Sequence, residues 1–309
     1  MKAKMTCQES GGVLIVRKHA GVTSHDIVNK IRRLYGTRRV GHTGTLDPMA
    51  TGVLVVLIGR AAKASEYLVT DAKRYRALLR LGITTDTEDT TGTVLTTSQS
   101  IPSTDEFLAV LPRFRGKIQQ IPPMYSALKV GGKKLVDLAR EGVTIDRQAR
   151  EIEIFELSAT PTEVSTDYVL DVKCSGGTYI RTLCADIGAA LGCGGAMAAL
   201  ERTETGGFPI DIAHTVAEIE EMTEDERNSL LIPTEELFRE LSSVALPPFY
   251  EKLCRSGCEI YLKKIGISLP VGARVRICTA SSGEFFALGE VREYENGAAI
   301  KAIKTFSLD

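Results

Sequence analysis

The chain has 309 residues, 43% of them apolar and 25% charged, and a formal net charge of −1. That length suits one large and one small domain, and that composition is ordinary for a soluble globular protein. No apolar run reaches the roughly 18 residues of a membrane span, so no membrane partner is expected. Residues 1–5 (Met-Lys-Ala-Lys-Met) lack the apolar core of a signal peptide. Seven cysteines, at 7, 174, 184, 193, 254, 258 and 278, show no Cys-x-x-Cys pairing. Reduced thiols in a cytoplasmic protein are therefore expected. Cys254 and Cys258 fall four apart with no further ligand nearby, and His19, His25, His42 and His214 never meet acids at ligand spacing. No metal site is expected.

In chain order, residues 12–17 (Gly-Val-Leu-Ile-Val-Arg) read as a buried strand. Thr23 or Ser24 can cap the helix after it, whose stripe is Ile27, Ile31 and Leu34, with Gly36 as its stop. The other face of that helix carries Lys30, Arg32 and Arg33, followed by Arg38 and Arg39. Next comes the stretch on which the chain is organised, Gly41-His42-Thr43-Gly44-Thr45-Leu46-Asp47-Pro48-Met49-Ala50-Thr51-Gly52-Val53-Leu54, leading into an apolar run to Ile58. Its glycines allow close backbone approach, and Pro48 biases Asp47 toward an extended conformation. Two readings fit: a loop presenting one isolated carboxylate, or a Gly-rich turn with Asp47 as its hydrogen-bonding residue.

Residues 60–69 look helical, and 73–82 alternate as a strand, with Tyr75, Ala77, Leu79 and Leu81 on one face. Residues 85–92 form a polar turn; of two readings of Asp89, a member of the site and an exposed turn acid, the second is expected. Ser103 and Glu106 make a capping box for a short helix to Leu111. Residues 133–141 look helical between Gly132 and Gly142, and 151–157 and 168–174 look like strands. A helix with Ile180, Leu183, Ile187 and Leu191 on one stripe ends at Gly192 and places Arg181 in its first turns, where a fork can hold a carboxylate at two points. A surface charge is the other reading of Arg181, and core packing that of Leu200. Residues 113–150 carry nine basic and three acidic side chains, a net of +6, whereas 218–240 carry two and nine, a net of −7. Such polarity permits a phosphate backbone on one face; solvated helix faces account for either run alone. Pro247-Pro248 marks a boundary, after which short strands at 274–278, 285–288 and 298–302 suggest a small β-rich unit.

The fourteen residues from Gly41 to Leu54 resemble the catalytic signature of the TruB family of tRNA pseudouridine synthases. Further blocks extend the resemblance from Gly12 to Leu200: Lys18 to Ser24 (with His19 where the family usually has proline), 73–82, 113–129, Ser175 to Leu183, and Ala199-Leu200-Glu201-Arg202. It implies an α+β pseudouridine synthase fold, a central mixed, mostly antiparallel sheet flanked by helices, with a small β-rich PUA-like tail. Residues 1–243 are then the catalytic domain, with a mobile basic thumb at about 113–150, and 244–309 an RNA-binding domain. Asp47 becomes the nucleophile and Arg181 the partner that keeps it ionised. Tyr75 packs on the target base, Tyr179 and Leu200 wall the pocket, and His42 and Lys18 contact substrate.

The implied reaction turns uridine 55 of the tRNA T loop, flipped out of its stack, into pseudouridine. It involves no redox change and imports no group, so no cofactor is expected. The partner is tRNA alone, with no protein required, and the chain is expected to be a monomer. Two alternatives remain: a catalytically silent RNA-binding or RNA-folding module, and a guide-RNA-dependent pseudouridine synthase. The basic insert at 113–150 favours the stand-alone type over the second.

Overall fold

A computed structural model describes residues 11–68 and 72–307. Residues 1–5, Cys7 and Val69 lie outside the described residues. Strand β1 (Gly12–Lys18) is apolar on both faces because both are covered. Val13 and Ile15 pack toward Phe208 and Phe238, while Leu14 and Val16 pack on the next helix, α1 (Ser24–Leu34). Thr23 is the cap of α1: its hydroxyl accepts from Asp26 N at 3.1 Å, and the Asp26 carboxylate accepts from Thr23 N at 2.9 Å. This reciprocal box satisfies two otherwise orphaned donors, and Ile27, Val28 and Ile31 form the buried face.

Strand β2 (Val40–Thr43) pairs antiparallel with β3 (Thr51–Ile58), so Gly41, His42 and Thr43 belong to a strand. That corrects the reading of the whole signature as a loop; the free loop is residues 44–50. A 3₁₀ stretch (Gly59–Tyr67) stands where a helix over 60–69 was expected. Strand β4 (Lys73–Leu81) buries Tyr75, Ala77, Leu79 and Leu81 as its alternation requires. The hairpin of β5 (Ile83–Thr85) and β6 (Val94–Thr97) follows, then α2 (Thr104–Val110), capped by Ser103 with Glu106.

Strand β7 (Gly116–Gln120) leads to a second small hairpin, β8 (Lys129–Val130) with β9 (Lys133–Lys134), turned by Gly131 and Gly132 at φ of 58° and 87°. Only then does helix α3 (Leu135–Arg140) begin, later than the expected start at Lys133. Strands β10 (Arg150–Pro161) and β11 (Asp167–Cys174), helix α4 (Ile180–Ala190) and strand β12 (Gly195–Thr205) complete the body of the sheet. Two-residue strands β13 (Phe208–Pro209) and β14 (His214–Thr215) precede the short acidic helices α5 (Val216–Glu221) and α6 (Glu224–Ser229).

Among the described residues, ten strands form one mixed sheet, ordered β14-β1-β3-β12-β4-β11-β10-β7, with β2 on β3 and β13 on β12. Only the β1–β14 and β3–β12 pairings are parallel. Strand β3 is its hinge. One edge pairs with β1 from Gly52 to Ile58, while the other is shared. Thr51 and Gly52 pair with β12 at Glu201 and Arg202, whereas Val55 to Ile58 pair with β2. The sheet therefore forks at Val53–Leu54, and the 44–50 loop spans the mouth of that fork.

The second sheet, β15-β17-β18-β19-β16, starts with β15 (Ser243–Leu246), upstream of the expected break at Pro247. Pro248 opens helix α7 (Pro248–Arg255), where a ring-fixed φ and a missing N–H cost nothing. Strand β16 (Ile260–Tyr261) and helix α8 (Leu262–Ile265) follow, so this unit holds helices that the strand pattern did not announce. Strands β17 (Arg274–Thr279), β18 (Phe285–Tyr294) and β19 (Gly297–Thr305) close it. It packs on the large sheet through Phe238, Phe285 and Phe306, with Phe285 and Phe306 stacked at 5.4 Å. Tyr67 donates to Ile303 O across the join at 3.3 Å.

Candidate active site

The loop at the fork is fastened from below. Ser24 Oγ accepts from Leu46 N at 2.9 Å and donates to Leu46 O at 3.1 Å. Gly21 N donates to Pro48 O at 2.9 Å, and Ala50 N to Asp47 O at 3.0 Å, closing a local turn. Lys18 is 0% exposed, and its ammonium donates to Ala50 O at 2.6 Å, His19 O at 3.0 Å and Pro48 O at 3.2 Å. The ammonium lies under the loop with its three donors engaged. Burial pushes its pKa down to about 8, opposed by the Asp47 carboxylate and helped by the Arg202 charge.

Asp47 and Arg181, 134 positions apart, meet in two-point contact. Arg181 Nε lies 2.9 Å from Asp47 Oδ2, and Arg181 Nη2 donates to Asp47 Oδ1 at 3.3 Å. Arg181 sits in the first turn of α4 and is buried, while the Asp47 side chain keeps 35% of its exposure. The guanidinium is itself held by Thr87 O at 3.0 Å and Tyr125 O at 2.8 Å. Two backbone carbonyls thus hold the fork in place, and its two-point contact presents the carboxylate in one orientation.

Asp89 is not the exposed acid that its Thr-rich turn suggested. It is 5% exposed, and its carboxylate accepts from Thr87 Oγ1 at 2.9 Å, Thr91 N at 2.9 Å and Thr91 Oγ1 at 2.5 Å. Its other oxygen is 3.9 Å from Arg181 Nη1, behind the Asp47 pair. Glu88 beside it takes a left-handed φ of 63° and accepts from Thr182 of α4. Burial raises the Glu88 pKa, with Thr182 and Arg181 opposing.

Tyr75, Leu200, Leu46, Ala50 and Ile180 share one buried cluster, and Leu46 directly precedes Asp47 in the chain. Tyr75 is 7% exposed, and burial pushes its phenol up while Arg202 pulls it down. Tyr179 caps α4, and Gln120 clamps its backbone: Tyr179 N donates to Gln120 Oε1 at 2.8 Å, and Gln120 Nε2 to Tyr179 O at 3.0 Å. His42 sits on β2 with Nδ1 buried and unpaired, its pKa lowered by burial, then by Arg202 and His25. Of the residues singled out in the sequence, the structure brings Asp47, Arg181, Tyr75 and Leu200 together, ranges Tyr179 and His42 about them and puts Lys18 beneath.

Sequence reasoning missed Arg202, which is 1% exposed. Its Nε donates to Val53 O at 2.8 Å and its Nη2 to Gly44 O at 2.9 Å. Val53 O is the carbonyl that neither β2 nor β12 pairs, and a buried carbonyl needs a donor. Little in the sequence signals Arg202, since Glu201, Thr203 and Glu204 around it are polar. Among the described residues no three His, Cys, Asp or Glu side chains converge as a metal would require. Away from the pocket, Arg113, Lys117, Lys129, Lys133, Arg140 and Arg150 are exposed along the basic insert.

The family model for the TruB family pseudouridylate synthase N-terminal domain matches residues 32–180, and that for the tRNA pseudouridylate synthase B C-terminal domain matches 181–239. The chain is 42% identical over 297 residues to the tRNA pseudouridine synthase B of Alkaliphilus oremlandii (strain OhILAs), covering 95% of this chain and 97% of that protein. It is 39% identical over 299 residues to the protein of that name from Chromohalobacter salexigens, covering 96% of this chain and 95% of the relative. Among solved structures it superposes on a chain of a Cbf5-Nop10-Gar1 complex with a TM-score of 0.74 at 26% identity, over 98% of this chain and 86% of that one. A chain of an archaeal box H/ACA sRNP Nop10-Cbf5 complex matches with a TM-score of 0.73 at 24% identity, over 99% and 89%. The fold is that of the Cbf5 pseudouridine synthases: a mixed central sheet with helices and a β-rich C-terminal unit.

Proposed function

The chain belongs to the TruB family of pseudouridylate synthases and isomerises uridine to pseudouridine in tRNA, and we propose that the target is position 55 of the T loop and the nucleophile Asp47. The observation that carries the nucleophile is the two-point contact at 2.9 and 3.3 Å from Arg181, made by a carboxylate that follows Leu46 of the buried apolar cluster. The reaction breaks the bond from uracil N1 to ribose C1′, turns the base and joins C1′ to C5. C5 then loses its proton and N1 gains one, so atoms and electrons balance without a redox partner. A carboxylate that forms a covalent adduct divides this path into two easier halves.

Arg181 fixes the direction of attack. Tyr75 lies against the base and takes the C5 proton, Leu200 and Tyr179 wall the pocket, and His42 stands beside it on β2. The target uridine is flipped out to reach Asp47, at a cost of a few kcal/mol that stacking and phosphate contacts offset. The exposed cations of 113–150 supply such contacts, which give affinity and register without reading sequence. Residues 1–243 act as the catalytic domain and 244–309 as an RNA-binding one. The chain works as a cytoplasmic monomer on tRNA without guide RNA or protein partner.

Release of the C5 hydrogen from labelled uridine in a bare tRNA transcript tests this. Purified wild-type protein is expected to release it and to modify position 55 alone. Asp47→Asn is expected to fold, bind tRNA and release nothing. Substantial pseudouridine from that variant refutes the assignment of Asp47. Activity appearing only after a guide RNA is added refutes the stand-alone reading.

A further inference from the structure

Helix α4 starts at Tyr179 without a side-chain cap, the residue being extended at φ −102° and ψ 109°. Its backbone is met instead from β7, 59 positions away. Gln120 is 2% exposed; its Oε1 accepts from Tyr179 N at 2.8 Å and its Nε2 donates to Tyr179 O at 3.0 Å. A primary amide set against a residue in this way copies the two-bond exchange of an antiparallel pair, and only one of its two flips fits. Farther along the segment that leaves β7, Tyr125 O accepts from Arg181 Nη2 at 2.8 Å. The β7 side thus holds α4 at Tyr179 and again at Arg181. We propose that Gln120 is a positioning residue for the isomerisation: its amide sets the entry of α4, and so where Arg181 holds Asp47 and where Tyr179 walls the pocket. This rests on the reading of Asp47 as the nucleophile and Arg181 as its partner.

The first turn of a helix leaves its N–H groups without helical partners, and an end without a cap is free to fray. Tyr179 O accepts from Leu183 N at 3.0 Å, the first bond of α4, and the Gln120 amide adds a second bond to that oxygen from outside the helix. Loss of this hold would shift Tyr179, Ile180 and Arg181 together, because they are consecutive. The contact of Arg181 with Asp47, at 2.9 and 3.3 Å, leaves little room for such a shift. A misplacement of about 1 Å at a reacting group costs on the order of a hundredfold in rate. Gln120 is closed off from solvent, so it acts through the backbone of Tyr179 and not on the RNA.

The test is single-turnover isomerisation of bound tRNA from mildly acidic to neutral pH by Gln120→Glu and Gln120→Met, each as a ratio to wild type, with tRNA affinity measured beside it. An ionised glutamate accepts from Tyr179 N but sets its second oxygen against Tyr179 O, which repels it. A protonated one donates there and restores both bonds. The groups facing position 120 are Arg150, opposite it on β10, and Tyr179 and Arg181 of α4. Burial favours the neutral acid, and the two cations favour the ionised form. Gln120→Glu is expected to be slowed roughly ten- to a hundredfold at neutral pH. Its ratio to wild type is expected to recover as pH falls, with tRNA affinity unaltered. Gln120→Met has a similar shape but can neither donate an N–H nor present an oxygen, and is expected to be slow at every pH. Either variant as fast as wild type at neutral pH, or a Gln120→Glu ratio that does not move with pH, overturns the proposal. So does a loss that lies in tRNA affinity alone. Should both variants fail to fold, the Tyr179 amide of the unsubstituted chain must exchange its hydrogen as slowly as the ladder amides of β7, and rapid exchange overturns the proposal. Asp47→Asn with full C5 hydrogen release sinks the reading of the site itself. An inactive Asp47→Asn beside wild-type rates in Gln120→Glu sinks only the inference.

Discussion

Raising the pH is expected to stabilise this protein through Lys18. Its pKa is about 8 in the fold against 10.5 in an exposed lysine, with burial as the chief cause. Between these values the unfolded chain holds the proton and the folded chain has released it. Stability therefore rises with pH through that window, and below it both states are protonated and the contribution is constant. A displacement of that size at about 1.4 kcal/mol per unit corresponds to roughly 3 kcal/mol across the window. Buried phenols and thiols such as Tyr75 and Cys174 have raised pKa values and oppose this at alkaline pH, but a Lys18→Met variant shares them. Urea unfolding of both proteins from neutral to strongly alkaline pH isolates Lys18. The wild-type advantage over Lys18→Met should grow by about 3 kcal/mol above its value at neutral pH. Curves that stay parallel would mean the ammonium is solvated or the loop opens to admit water, and would refute the argument.

Gly52 permits the parallel pairing at the root of the fork. At its φ of 102° an added Cβ falls 2.2 Å from Arg202 O and 2.7 Å from Arg202 N, both backbone atoms that cannot turn aside. Gly52→Ala combines a left-handed penalty of roughly 1–2 kcal/mol with overpacking of roughly 1–3 kcal/mol. A Tm drop of roughly 5–15 °C is expected, with isomerisation slowed in the protein that remains folded. An unchanged Tm contradicts the close approach of β3 and β12. Lys129→Ala and Lys133→Ala are each expected to lower the slope of log affinity for tRNA against log salt by about 0.7–0.9, as loss of one phosphate contact does. An unaltered slope removes that lysine from the interface.

Much of the large sheet was legible because period carries it. The alternation of Tyr75, Ala77, Leu79 and Leu81 and the stripe of Ile180, Leu183 and Ile187 each select one element and one buried face. A cap at Thr23 or Ser24 and a capping box at Ser103 are local chemistry and were read with their helices; the box at Thr23 came from the structure. The misses share a cause. The strand character of His42, the burial of Asp89 and the role of Arg202 depend on partners more than ten positions away in sequence. Asp89 looked solvated because its turn is polar, yet those threonine hydroxyls are what make its burial tolerable. The helices of the C-terminal unit were missed because one begins at a proline and the other is a single turn, too short for periodicity to register.

The same logic explains why the acid of this site is easier to see than its cations. Lys18, Arg181 and Arg202 surround the fork, and together they donate to seven backbone carbonyls. Carbonyl dipoles satisfy the donors of a buried cation without cancelling its charge, whereas paired carboxylates would neutralise it. Asp89 follows this rule too, since its shortest contacts are threonine donors and its distance to Arg181 is 3.9 Å. Of the carboxylates near Arg181, Asp89 is buried among threonine donors, whereas Asp47 keeps 35% of its side-chain exposure and is partly open to a ligand. Because the donors' partners are main-chain atoms of other segments, no side-chain pattern announces them, and only the folded chain shows why the cations stand where they do.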